Sequence, residues 1–193
     1  MSRTALYKGL YFAILGSAAA VALAILVYFR FAPIALLAVL LGLLLPGRIL
    51  GFFWRDLLRG LRLLNAKDYA ASKASSLRFL AEVRRRPWIK HLVWLGSSSY
   101  SRDPEILALN NLGGAEIGLR EFDAAEQHLN EAISIDPLCP LPFYNLGVLA
   151  MAKGNSVEAT RCFAEAKRLG YRGGLSDRIV RASQTRFAET DGG

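Results

Sequence analysis

The stretches "NNLGGAEIGL" (Asn110–Leu119) and "YNLGVLAMAK" (Tyr144–Lys153) share the tripeptide Asn-Leu-Gly at a spacing of 34 residues. Both stretches read as helix, yet each carries glycine in its interior, which costs roughly 1 kcal/mol relative to alanine. Glycine kept at that cost marks a place where packing leaves no room for a side chain. The match extends outward from the tripeptide. Leu109-x2-Leu112-Gly113 returns as Phe143-x2-Leu146-Gly147, and Ala125-x3-Leu129 returns as Ala159-x3-Phe163. Ala132 becomes Ala166, Glu131 becomes Glu165, and Pro137 closes the first copy where Tyr171 closes the second.

This pattern resembles the tetratricopeptide repeat, a 34-residue helix-turn-helix unit with small and aromatic residues at these offsets. The resemblance covers 106–171 in two copies. It implies that Gly113 and Gly147 let each first helix approach its second, where Ala125, Ala132, Ala159 and Ala166 supply a small surface. Phe122, Phe143 and Phe163 would fill the remaining space. Two positions depart from the pattern: Glu116 replaces the usual tyrosine, and Arg120 stands at the turn position that Gly154 supplies in the second copy. Asp103-Pro104-Glu105 marks the start as an N-cap, a proline in the first turn and an acid beside it.

Two repeats are too few to bury their own faces. Downstream, Leu175, Ile179, Val180 and Phe187 fall at helical spacing with Arg178, Arg181 and Arg186 outside, which suits a capping helix over 172–193. An amphipathic helix for a partner is the alternative there. Upstream, Trp54, Leu57, Leu58, Leu61 and Leu64 form one stripe. Gly60 precedes Tyr69 as Gly113 precedes Phe122, and Ser72 stands where Ala125 would. That reads as a degenerate repeat over 53–86, offset by 34 plus an insert of 19 residues at 87–105.

Composition points to a further element. The chain is 53% hydrophobic with 21% charged residues and a net charge of +8. "GLYFAILGSAAAVALAILVYF" (Gly9–Phe29) has no charge, and its length at 1.5 Å per residue matches the ~30 Å core of a bilayer. A second apolar run, Ile34–Pro46, can reach the same span if it continues through "GRILGFFW", with Phe52, Phe53 and Trp54 at the interface. The expectation is a membrane helical hairpin over 1–52. A single span followed by an interfacial helix, and a cleaved signal, are the alternatives. Arg3 and Lys8 before the first run and the basic residues after the second would hold both termini and the repeats in the cytoplasm.

Charge is sorted along the chain: residues 48–102 hold twelve Lys/Arg against three acids, and residues 103–193 hold nine against thirteen. "RRRPWIKHLVWL" makes Arg84, Arg85, Arg86, Trp88 and Lys90 candidate contacts to anionic lipid; an extra helix packed on the first pair is the alternative. No base-reading module accompanies the basic residues, so nucleic acid is not an expected partner. His91, His128, Cys139 and Cys162 fall in no metal-ligand spacing, and no nucleophile or phosphate-loop motif occurs, so neither an enzyme nor a cofactor is expected. His128 is expected at the surface, and the cysteines as small buried residues.

The family resemblance implies a concave face built by the first helix of each repeat. Residue by residue, it would be Leu107, Asn110, Gly114, Ile117 and Gly118, then Leu141, Tyr144, Val148, Met151 and Ala152. That face is apolar and lacks the lysines of the members that clamp a C-terminal carboxylate. It suits a helix or an extended apolar segment of a protein partner rather than a small-molecule substrate. Alternatively, it packs on the insert at 87–101. The sequence thus reads as an all-α chain: a membrane hairpin at 1–52, a basic juxtamembrane region at 53–102, two repeats at 103–171, and a capping helix and tail at 172–193. Its expected function is a membrane-anchored protein-interaction scaffold, with an anionic-lipid sensor acting through 48–102 as the alternative.

Overall fold

Turns of one kind join the helices of each pair. In a computed structural model, residues 47–95, 101 and 103–172 are described, together with helical pieces at 13–14, 16–21 and 24. Lys67, Arg120 and Gly154 all adopt the left-handed conformation, with φ of 63°, 63° and 78°. Just beyond each, the backbone N–H of Asp68, Glu121 and Asn155 donates five residues back, to Leu63, Glu116 and Ala150, at 2.9, 2.9 and 2.8 Å. This closure satisfies the last carbonyls of one helix while reversing the chain into the next.

The turns join six helices into three pairs: α1 (Arg55–Asn65) with α2 (Tyr69–Arg85), α3 (Pro104–Gly118) with α4 (Phe122–Ile135), and α5 (Pro140–Ala152) with α6 (Ser156–Arg168). A 3₁₀ segment, Pro87–Leu95, lies between the first and second pairs. Helix starts follow capping chemistry. Asp68 accepts from the Ala71 N–H, Asp103 from Glu105 and Asn155 from Glu158, at 3.2, 2.9 and 3.0 Å. Pro104 and Pro140 occupy first turns, where a missing N–H is harmless.

Within each pair a glycine faces a residue sixteen positions on. A β-carbon on Gly113 would lie 2.6 Å from Leu129 Cγ, and one on Gly147 would lie 2.7 Å from Phe163 Cε1. On Gly60 it would lie 3.0 Å from Ser76 Oγ. In the first pair Ser72 is buried and donates its hydroxyl to the Gly60 carbonyl at 2.9 Å. Pairs also stack on one another: α2 packs on α3, α4 on α5, and the first helices α1, α3 and α5 lie side by side. One buried cluster runs through the stack and includes Trp54, Phe79, Val83, Ile89, Ile106, Leu109, Leu112 and Cys139. A smaller one forms around Phe163, Ala159 and Ala150 at the downstream end.

The expected membrane hairpin is corrected here. Among the described residues no helix is long and apolar enough to cross a membrane. Three of the residues meant to extend the second span are used otherwise. Trp54 is part of the buried cluster, and Leu50 and Phe53 pack against it. Their apolarity serves protein packing. With the hairpin go the two-span topology, the cytoplasmic placement inferred from it, and the membrane-anchored role. Most of 1–46, and the expected capping helix beyond residue 172, lie outside the described residues.

Candidate functional site

Stacking puts α1, α3 and α5 in a row, so residues at equivalent positions line one face. Gly114 sits in the middle of that row. A β-carbon there would meet Leu64 Cδ2 of α1 at 3.2 Å and Asn145 Nδ2 of α5 at 3.6 Å. The 53- and 34-residue offsets place Leu61, Gly114 and Val148 at one level of the face, and Leu64, Ile117 and Met151 at the next. Leu64, Gly114, Ile117 and Val148 are half-buried, while Leu61 and Met151 are exposed. No charged side chain occupies either level.

The other residues expected on this face are divided by the structure. Asn110 is buried and accepts from the Asn145 amide through its backbone and side-chain oxygens, at 3.2 and 2.9 Å. It holds α5 against α3. The α-carbon of Gly118 faces the Tyr69 ring, where a β-carbon would lie 2.5 Å from Cδ1. Leu107 and Leu141 pack on the main cluster, as does Leu92 of the insert. Ala152 is exposed. Tyr144 packs on the downstream cluster and stacks on Tyr171 with ring centroids 4.4 Å apart. Burial raises its hydroxyl above the ordinary tyrosine range, opposed by the hydrogen bond with Tyr171. Among the described residues the insert packs on α2 and α3, with Lys90 reaching Asp103 and Glu105 at the start of α3.

Leu61 and Leu64 were absent from the sequence-based face because the insert breaks the period between them and the later copies. Their spacing to Gly114 and Ile117, 34 plus 19, was the available signal.

The candidate lipid contacts are largely engaged within the protein. Arg84 donates to Glu105 at 2.8 Å and also pairs with Glu131. Lys90 donates to Asp103 at 2.8 Å and Glu105 at 2.5 Å. Arg85 and Arg86 pair with Glu82 on their own helix. Trp88 meets Phe53 edge-on at 4.9 Å. Together with buried Ile89, these contacts make the insert part of the solenoid.

Glu116 and His128 also differ from expectation. The Glu116 side chain is 1% exposed, 2.8 Å from His128 Nδ1 and 3.6 Å from Lys73 Nζ. Glu116 thus ties α3 to both neighbouring second helices. His128 is half-buried as its partner. Burial pushes the thiols of Cys139 and Cys162 up to about 11, which keeps them protonated and poor nucleophiles. Among the described residues no group of three His, Cys, Asp or Glu could hold a metal ion.

Comparison with solved structures agrees with this geometry. The chain superposes on a TPR-like protein from Chlorobium tepidum with a TM-score of 0.51 and 16% identity, covering 76% of this chain and 98% of that one. Its fold is TPR-like. At that identity the likeness concerns the fold alone. No family model matches the chain, and no curated relative does. The TPR-like arrangement agrees with the close glycine contacts inside each pair.

Proposed function

We propose that the chain is a protein-interaction scaffold whose inner face receives an apolar helix or extended segment of a partner. The observation that carries this reading is the pair of uncharged levels across three helices: Leu61, Gly114 and Val148, then Leu64, Ile117 and Met151. Glycine at 114 keeps the floor low between two larger side chains. Such a face buries side chains at alternate or helical spacing and draws its affinity from apolar area. Membrane attachment forms no part of this role.

The test is site-specific photocrosslinking in the full chain. A photoreactive residue at Met151 should trap a discrete protein species, which mass spectrometry identifies. The same group at Asn130, on the outer surface of α4, should not. Adding Ile117→Glu should abolish the Met151 adduct without lowering the unfolding midpoint. Equal trapping from both positions, or an adduct indifferent to Ile117→Glu, would rule the face out.

A further inference from the structure

The first of the three pairs carries an unusual stacking face. In α3, which packs on α2, Ala108, Leu112 and Ala115 are fully buried. The equivalent α1 residues, 53 positions earlier, are Arg55, Arg59 and Arg62, and all three are exposed. Phe52 is 71% exposed where its counterpart Glu105 is buried, and Leu58 is 43% exposed where Asn111 is buried. Arg48, in the helical stretch leading into α1, is exposed as well.

Among the described residues no acid meets these arginines. Arg78, Arg84, Arg85, Arg86, Arg161 and Arg168 all form ion pairs. Among the described residues, none pairs with Arg48, Arg55, Arg59 or Arg62; Arg62 only donates to the Leu58 carbonyl at 3.4 Å. Asp56 is the sole acid between residues 48 and 67, and it is 3.6 Å from Arg78. A terminal repeat needs a polar outer surface for solubility, and arginines would provide one. Phe52 and Leu58 would not, because a purely solvating end has no use for them.

We propose that this face docks an acidic amphipathic helix of a partner protein, laid on α1 as α2 lies on α3. Acids three and four residues apart would meet Arg55, Arg59 and Arg62, and apolar residues between them would cover Phe52 and Leu58. Arginine suits this role because its fork pairs bidentately with a carboxylate. This surface is separate from the inner face and does not depend on what binds there.

The experiment uses the full chain and a fluorescein-labelled helical peptide with glutamates at three- and four-residue spacing and leucines between them. A counterpart carries glutamine for every glutamate. Anisotropy should show the acidic peptide binding roughly tenfold or more tightly, with the preference shrinking as salt rises. Arg55→Glu/Arg59→Glu/Arg62→Glu should erase the preference, and Phe52→Ser should weaken both peptides. Arg161→Glu, on α6, should leave the preference in place. Unfolding midpoints separate lost binding from lost fold. Equal binding of the two peptides, or a preference that survives in the triple variant, would overturn the proposal. So would arginine-dependent binding to phosphatidylcholine–phosphatidylserine vesicles with no binding of the acidic peptide, which would assign the face to a lipid surface.

Discussion

Asn145 donates its side-chain amide to both oxygens of Asn110, the backbone carbonyl at 3.2 Å and the side-chain carbonyl at 2.9 Å. This bond joins α3 to α5 directly under the inner face, beside Gly114. Leaving the buried Asn110 without its donor should cost about 1–3 kcal/mol. Thermal unfolding of Asn145→Ala should therefore show a lowered midpoint, and Asn110→Ala/Asn145→Ala should lose less than the two single changes added together. Additive losses would mean that the two residues do not interact.

Arg120 and Lys67 hold left-handed backbone that disfavours residues with a β-carbon. The equivalent Gly154 bears no such strain. Arg120→Gly should raise stability by up to about 1 kcal/mol despite the flexibility glycine adds to the unfolded chain, and Gly154→Ala should lower it. Urea unfolding of the three proteins gives the order directly.

Glu105 is buried at the start of α3. Burial opposes its charge, but hydrogen bonds from Lys90 and Arg84 outweigh that effect and hold the carboxyl below its ordinary range. A depressed folded value contributes stability above the unfolded pKa, near 4.3, which is lost as pH falls through the folded value. The unfolding midpoint should therefore drop below about pH 4–5. Glu105→Gln should be less stable at neutral pH and should flatten that acid-side slope.

Cys139 and Cys162 are buried with their thiols held protonated. Iodoacetamide at neutral pH should alkylate neither in the folded chain and both in guanidinium. Rapid labelling of the native protein would show that the α4–α5 junction and the Glu158 face of α6 open to solvent.

The repeating pairs were legible because their cause is local and periodic. Gly113 and Gly147, with small residues at fixed offsets, leave a mark in the sequence. The Asp103-Pro104 start was legible for the same reason. What failed to read depends on distant partners. Arg84 pairs with Glu105 and Glu131, which lie 21 and 47 residues away. In isolation the "RRRPWIK" run therefore does not show which of its charges are met within the protein. Phe53 and Trp54 have the same apolarity whether they meet lipid or a protein core, so hydropathy could not separate the two. On the inner face, Tyr144 and Gly118 were placed by repeat position, but their neighbours Tyr171 and Tyr69 come from adjoining segments. His128 was assigned to the surface because its partner Glu116 sits on the neighbouring helix.

The solenoid register, on which both binding surfaces rest, is tested most directly at Gly147. Phe163 is fully buried, so its ring has nowhere to retreat from a β-carbon that would sit 2.7 Å from Cε1. On an exposed helix a change from glycine to alanine would stabilise by up to about 1 kcal/mol. Here Gly147→Leu should cost roughly 1–3 kcal/mol through overpacking, and Gly147→Leu/Phe163→Ala should recover part of that loss by making room. Calorimetry of the full chain and these two variants measures both effects. A lowered midpoint for the single variant and partial recovery in the double is the predicted result. An unchanged or raised midpoint for Gly147→Leu would contradict the close approach of α5 and α6, and with it the repeat assignment.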